Sequence, residues 1–287
     1  MHETAICVIV KDELDLDEWI VYHQEIGFDH IYVYDNNDIP INLDHHQNLT
    51  YIHFPGKVQQ INAYCDWIKK YKLECKYICV IDADEYVVFN SKYDSVKNVL
   101  KNLPDDHDSL ILNSKLFVNM NETREEGLVL EKNLTWQKFL HRDKWKSKSY
   151  LINYSSSVKT FSKTKLIKKI DNPHTFKYYT EHKSYSGDLK SECIVKNFSH
   201  YAKEEPQIWI NHYYIKSLSE FRHKCLVRGR ATTYEKRNLK KELNGSTIRY
   251  NPSAILSSEP TEIVLWKNKV KNKLKEKLNE VDESRDN

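Results

Sequence analysis

Glycine is scarce in this sequence, with 6 residues in 287. None of them lies in "VIVKDELDL" (residues 8–16), which contains the end of the first apolar run and the acids that follow it. A phosphate-binding loop between a strand and a helix needs glycines, because its backbone N–H groups must approach the phosphate closely. The missing glycines therefore count against a sugar-nucleotide pyrophosphorylase.

Long apolar runs and paired cysteines are also missing. No segment approaches the roughly 20 apolar residues that a membrane-spanning helix needs, and no signal peptide follows Met1. The six cysteines form no C-x2-C pair and no zinc-type spacing, so buried thiols are the simpler interpretation of Cys75 and Cys79. These features predict a reduced, cytoplasmic protein without a transmembrane segment.

Neither sign of charge dominates, since 44 basic side chains face 41 acidic ones. This balance argues against general nucleic-acid binding by charge. With 40% hydrophobic residues, the chain has ample material for a large core.

The first third of the chain alternates apolar runs with helical patterns. Asp15 and Glu18 resemble a capping box at the start of the first helix, and Gly27 is a candidate for its C-terminal cap. The order is β-α-β-β-α-β, which predicts an α/β fold with a mostly parallel sheet flanked by helices. The predicted strands are 5–10, 31–34, 49–54 and 77–81, and the predicted helices are 15–27 and 59–71.

The rest of the chain is less regular. Residues 119–160 are polar with scattered aromatics, so we expect long loops there. The patterns also predict a helix at 96–103, strands at 110–113, 193–201 and 208–215, and a helix from 217 to 230.

The C-terminal segment repeats apolar residues at helical spacing, with lysines between them. We expect one domain over residues 1–260 and a basic amphipathic helix over residues 261–287. This helix is expected to pack on the domain, on a second copy in a homo-oligomer, or on an anionic membrane surface as a peripheral contact. The apolar positions are Trp266, Val270, Leu274 and Leu278.

Acidic clusters follow three of the predicted strands: "KDE" (11–13), "DNND" (35–38) and "DADE" (82–85). The carboxyl ends of parallel strands share one edge of a sheet, where ligands bind in such folds. Asp82 and Asp84 are two residues apart, so they point to the same side of an extended chain. Carboxylate oxygens suit Mg²⁺ or Mn²⁺. A metal site is therefore predicted, with a salt-bridged turn as the alternative.

Four segments resemble glycosyltransferases of the GT-A fold, and specifically glycosyltransferase family 92 with its bacterial and viral relatives. The longest motif is "NHYYIKSLSEFRHKCLVRGRA" at 211–231, and residues 105–190 carry little of the resemblance. The other matching segments are "CVIVKDELDLDEWIVYHQEIGFDHIYVYDN" (7–36), "QQINAYCD" (59–66) and "YICVIDADEYV" (77–87).

The resemblance implies an inverting, metal-dependent transfer of a sugar from a UDP-sugar, most often UDP-galactose, to a glycan acceptor. It implies that Asp82 and Asp84 form a D-x-D motif, which contacts the donor ribose and Mn²⁺ or Mg²⁺. The resemblance also assigns four acids to the nucleoside pocket, namely Asp12, Glu13, Asp35 and Asp66.

Polar residues recur every four positions in the last motif, which would make them neighbours on a helix. His212 is the candidate third metal ligand, near the predicted start of that helix. Lys216 and either Arg228 or Arg230 are candidates to offset the charge of the departing UDP. An ordinary solvated charge ladder is the alternative. The series is His212, Lys216, Glu220, Lys224 and Arg228.

An inverting transfer also needs a general base for the acceptor hydroxyl. Glu122, Glu125, Asp188 and Glu220 are the candidates, and the sequence does not choose between them. Two other functions use the same acids: a metal-dependent phosphohydrolase or nucleotidyltransferase, and a non-catalytic carbohydrate-binding protein on a related fold.

Overall fold

The computed structural model has six α-helices whose bounds lie within the residues that it describes. These residues are 1–132, 135–143, 148–196, 199–200, 204–229, 233, 238–239, 242, 256–257 and 262–285. The helices are α1 (Leu16–Glu25), α2 (Gln60–Lys70), α3 (Val96–Lys101), α4 (Val129–Lys132), α5 (Leu218–His223) and α6 (Lys267–Arg285).

The predicted β-α-β-β-α-β order is confirmed. The first four strands pair in parallel in the spatial order β3-β2-β1-β4, with α1 and α2 in the connections. A fifth strand begins at Glu85, the last acid of the third cluster. These strands are β1 (His2–Val10), β2 (His30–Asp35), β3 (Leu49–His53), β4 (Cys75–Val80) and β5 (Glu85–Phe89).

The second half extends this sheet with strands in both directions, so the sheet is mixed. The expectation of a mostly parallel sheet holds for the first four strands only. The long strands are β6 (Ser109–Val118), β10 (Ser155–Lys163) and β15 (Ile208–Ile215). The shorter ones are β7 (Trp136–Gln137), β8 (Phe139–Asp143), β9 (Lys148–Ile152), β11 (Ile167–Ile170), β12 (Phe176–Tyr178), β13 (Ser184–Ser186), β14 (Glu192–Cys193) and β16 (Leu256–Ser257).

Strand β10 joins the two halves, because it lies antiparallel between β4 and β6. Strand β15 pairs in parallel with the second half of β6. It also pairs antiparallel with β5. This arrangement brings residues from late in the chain beside the acids that follow β4.

The sheet is covered on both faces, as its continuous apolar strands predict. Ile6 and Val8 of β1 pack with Trp19 of α1 on one face. Ala5 and Cys7, which alternate with them, pack against α2 on the other face. The α/β class is therefore confirmed.

Helix α1 begins differently from the predicted capping box. Asp15 occupies the N-cap position, but its side chain makes no capping hydrogen bond. Glu18 instead accepts hydrogen bonds from the backbone N–H groups of Val129 and Leu130, at 2.8 and 3.1 Å. Both carboxylates therefore bind groups that are distant in the sequence, Asp15 through ion pairs with Arg124 and Lys216. Gly27 does follow the helix with a φ of +102°, a conformation that favours glycine.

The prediction of loops over 119–160 is wrong, because β7, β8, β9 and most of β10 lie there. The centre of β10 is buried although it contains Lys159, Thr160 and Ser162. These side chains find polar partners inside the fold, so hydrophobic periodicity does not reveal the strand. Of the predicted strand at 193–201, the described residues contain only the end of β14 at Cys193 and isolated bridges at Lys196 and Ser199.

Helix α6 packs against α1. Val270 is fully buried, and Leu274 is partly buried against the same core. Lys269 pairs with Glu25 of α1 at 2.8 Å. The side chain of Leu278 lies outside the described residues. No helix in the described part of the chain combines the length and apolarity that crossing a bilayer requires.

The docking of α6 can be tested with a pair of substitutions. Val270→Asp should lower the free energy of unfolding by several kcal/mol, because it places an unpaired carboxylate in the core. Asn272→Asp introduces the same group at an exposed position of the same helix and should change it by less than about 0.5 kcal/mol. Urea unfolding measures both, and equal effects would contradict this packing.

Candidate active site

Three acidic clusters lie along the edge of the parallel sheet formed by the carboxyl ends of its strands. Val10, the last residue of β1, pairs with Asp35 of β2. On the other side of β1, the N–H of Ile81 donates to the carbonyl of Cys7. The segments after β1, β2 and β4 therefore reach the same edge, as the sequence predicts.

Two lysines are the main partners of the acids that follow β4. Lys159 of β10 lies 3.1 Å from both Asp82 Oδ2 and Glu85 Oε2, and its side chain is 1% exposed. Lys224 forms a hydrogen-bonded ion pair with Asp84. Three carboxylates thus face two ammonium groups. Fully ionised, the five groups leave one negative charge unbalanced.

His212 lies between the second and third of these acids. Its Nε2 is 3.5 Å from Asp84 Oδ1, and its Nδ1 is 3.7 Å from Glu85 Oε1. The sequence predicts it at a transition from strand to helix. It lies instead within β15, opposite Glu85 of β5. The antiparallel β5–β15 pairing therefore brings the imidazole to the acids.

Burial and charge act in opposite directions on these carboxyl groups. Burial opposes the ionisation of Asp84, but Lys224 and His212 outweigh it and hold the pKa well below its usual range. Partial burial likewise opposes the ionisation of Asp82, where Lys159 lowers the pKa. Burial raises the pKa of Glu85, with its acidic neighbours adding to the effect. Asp84 is thus held as an anion, which suits it to bind a cation.

A second cluster forms around Lys216, which follows β15. Its ammonium group pairs with Glu13 and lies 2.6 Å from Asp15 Oδ2. Arg124 also pairs with Asp15. Burial opposes the ionisation of Asp15, but these two cations lower its pKa. Arg228 donates to the carbonyl of Lys11 at 3.0 Å. This cluster lies directly after β1.

The residues spaced four apart do not form one helical ladder, because His212 and Lys216 precede the helix. Helix α5 begins after Ser217, whose side chain accepts from the N–H of Glu220. A π-helical turn over 224–228 continues it. Lys216 and Lys224 are both largely buried and pair with acids, so the solvated-ladder alternative is also wrong. Arg230 lies outside the described residues.

The acids assigned to the nucleoside pocket have varied surroundings. Asp35 is fully buried and accepts hydrogen bonds from Tyr51 Oη at 2.6 Å and from the N–H of Ile41 at 3.0 Å. Asp35 therefore stabilises the loop that follows β2. Asp12 lies 3.2 Å from His223 at the edge. Asp66 accepts from Tyr34 and pairs with Lys70 on α2.

The four candidate bases also differ in position. Glu220 accepts from Ser217 Oγ at 2.8 Å, and it lies 2.9 Å from Arg124, which joins it to the second cluster. Asp188 accepts three hydrogen bonds within its own turn, from Lys190 and Ser191.

The other two candidate bases are engaged with neighbours outside the two clusters. Glu122 pairs with Arg222, and Glu125 accepts a hydrogen bond from Asn121. Of the four candidates, Glu220 is therefore the one that the structure places in contact with the second cluster, through Arg124.

Sequence reasoning missed four side chains at this edge. Gln60 at the start of α2 donates to Asp82 Oδ1 at 2.7 Å. Burial raises the pKa of Glu18, beside the second cluster, to about 7. Arg124 and Lys159 come from segments whose patterns predict loops. The available signal was weak: Lys159 lies in "VKTF" (158–161), where β-branched and aromatic residues favour a strand.

The central ion pairs can be tested by removing Lys159. Lys159→Met leaves two carboxylates without their buried partner and should cost about 3–5 kcal/mol of unfolding free energy at pH 8. The carboxyl pKa values rise in the variant, so protonation in the folded state offsets part of the loss as the pH falls. The deficit should therefore be smaller at pH 5.

Lys177→Met is the matched control, since Lys177 is exposed on β12. Denaturant unfolding of the three proteins at both pH values measures the effect. A Lys159→Met deficit that is independent of pH would contradict the ion pairs.

Comparison with solved structures gives a weak match. The crystal structure of apo-UDP-glucose pyrophosphorylase aligns with 58% of this chain and 78% of that one, at 12% identity and a TM-score of 0.29. A score this low carries no argument about the fold. No protein-family model matches the chain.

Two curated plant proteins are similar in sequence, and both are described as glycosyltransferase family 92 proteins. The one from Arabidopsis thaliana is 25% identical over 138 residues, covering 44% of this chain and 24% of that protein. The one from Oryza sativa subsp. japonica is 26% identical over 109 residues, covering 35% and 18%. The chain thus matches about a quarter or less of each relative's length. These relatives confirm the resemblance to glycosyltransferase family 92.

Proposed function

We propose that the protein is a glycosyltransferase that moves a sugar from a UDP-sugar to a glycan acceptor. The finer proposals are galactose as the sugar, inversion at the anomeric carbon, and dependence on Mn²⁺ or Mg²⁺. The named relatives support the general activity. The observation that carries the proposal is the D-x-D pair, Asp82 and Asp84, at the sheet edge beside cationic side chains.

The residues at this edge fit a divalent cation. The carboxylate of Asp84 and Nε2 of His212 face one another at 3.5 Å, and Asp84 is held as an anion. Lys224 pairs with the same carboxylate, so the position already accepts a positive charge. Asp84 and His212 would hold the ion, with Asp82 beside them. The ion would neutralise charge on the donor diphosphate.

The chain supplies further cations for a leaving UDP. Lys224 and Arg228 belong to one helical segment and both face the edge. An ammonium group and a guanidinium group stabilise negative charge that develops on a diphosphate. Lys216 pairs with both Glu13 and Asp15, and we propose that it positions them beside the donor.

We propose Glu220 as the general base, since it contacts Arg124 of the second cluster. Deprotonation of the acceptor hydroxyl requires a carboxylate within hydrogen-bond reach of it. The ion pair with Arg124 would have to loosen for this role.

The proposed function is tested by measuring UDP release from a panel of UDP-sugars with Mn²⁺, beginning with UDP-galactose. Asp84→Asn should lower kcat at least about 100-fold, because it removes the carboxylate proposed to hold the cation that stabilises charge on the diphosphate. Asp105→Asn makes the same change at an exposed turn and should leave kcat within about twofold.

Two other outcomes would replace the proposal. Release of uridine monophosphate or inorganic phosphate would indicate a phosphohydrolase or nucleotidyltransferase. Binding of UDP-sugars without any product would indicate a non-catalytic carbohydrate-binding protein.

The role of His212 is tested through the Mn²⁺ requirement. If His212 is a ligand, His212→Ala should raise the Mn²⁺ concentration needed for half-maximal turnover about tenfold or more. The melting temperature measured without metal should change little. His174→Ala is the control, because its Nδ1 interacts with a backbone carbonyl of β10 instead. An unchanged Mn²⁺ requirement with a lower melting temperature would make His212 a structural residue.

A further inference from the structure

A second group of potential metal ligands lies outside the D-x-D edge. Asp17 is in the first turn of α1, and His45 and His46 are in the connection between β2 and β3. Their ligand atoms all lie within 4.8 Å of one another. Among the residues that the structure describes, these three are the His, Cys, Asp or Glu side chains close enough together to share a metal ion.

The geometry approaches that of a tetrahedral metal site. Asp17 Oδ1 lies 3.0 Å from His45 Nε2 and 2.7 Å from His46 Nε2. Ligands at about 2.0–2.1 Å from a tetrahedral Zn²⁺ are about 3.3 Å apart. The two contacts to Asp17 would thus need to lengthen by about 0.3 and about 0.6 Å to match this separation.

The three side chains form a donor set suited to zinc. The His46 side chain is fully buried, whereas Asp17 and His45 are partly exposed, so the group lies at the surface with one imidazole inside the fold. Two imidazoles and a carboxylate are a donor set that Zn²⁺ accepts, whereas Mg²⁺ and Mn²⁺ favour oxygen ligands.

Other contacts hold these residues in position. Gln24 of α1 donates to the carbonyl of Gln47 at 2.6 Å, beside the two histidines. Lys277 of α6 donates to the carbonyl of His45 at 3.1 Å. The loop is therefore attached to α1 and α6 independently of a metal ion, which reduces the ordering that binding requires.

We propose that Asp17, His45 and His46 form a zinc site that is separate from the D-x-D edge. The three side chains leave the fourth tetrahedral position to water. The ion would link α1 to the β2–β3 connection, and so stabilise one side of the sheet edge.

The test uses the full chain, freed of metal with a chelator and titrated with Zn²⁺ against a chromophoric zinc indicator. The wild type should bind one Zn²⁺ with high affinity. Asp17→Asn and His45→Ala should each weaken this binding at least about tenfold. Both side chains are partly exposed, so the variants should fold, which circular dichroism checks. Co²⁺ should give visible absorption bands with the wild type that both variants lose.

Controls separate this site from weak binding elsewhere, because the chain has 13 histidines. His53→Ala removes an exposed histidine, and Asp84→Asn alters the D-x-D edge. Both should bind Zn²⁺ as the wild type does. The proposal is overturned if the wild type binds no Zn²⁺, if Asp17→Asn and His45→Ala bind it normally, or if Asp84→Asn alone abolishes binding. Any of these would leave Asp17 as a hydrogen-bond acceptor only.

Discussion

The pairing of Lys159 with Asp82 and Glu85 is the interaction on which the rest of this structure depends. A carboxylate removed from water is strongly destabilising unless a cation and hydrogen bonds accompany it. The acids follow β4, whereas the lysine lies in β10, which pairs antiparallel with β4. The four parallel strands of the first half therefore do not supply the cation that the acids after β4 need. They need a strand from the second half, and this makes the sheet mixed.

The same separation of charges along the chain recurs throughout the site. The acids lie within the first 85 residues, and many of their cations lie after residue 120. Strand β15 and the helical segment after it deliver Lys216 and Lys224 to two different acidic clusters. The site is thus assembled only when both halves of the chain fold together. At the D-x-D pair, Asp84 is held as an anion, which gives a physical reason for this edge to take up a cation.

Sequence patterns predicted much of the first half, because its strands are apolar on both faces and its acids follow them directly. They also identified the segment from His212 to Arg228. They failed where tertiary partners override local rules. Glu18 resembles a capping residue, but it accepts hydrogen bonds from the backbone N–H groups of Val129 and Leu130 at α4. Lys159 was missed because a buried lysine does not mark a strand until its acidic partners are known.

The central claim is that the D-x-D edge binds a nucleotide diphosphate through a divalent cation. A crystal structure of the full chain with UDP and Mn²⁺ tests it most directly. The account predicts the ion on Asp84 and His212, with the diphosphate facing Lys224 and Arg228. UDP bound elsewhere, with the Lys224–Asp84 pair intact and no ion at Asp84, would contradict it.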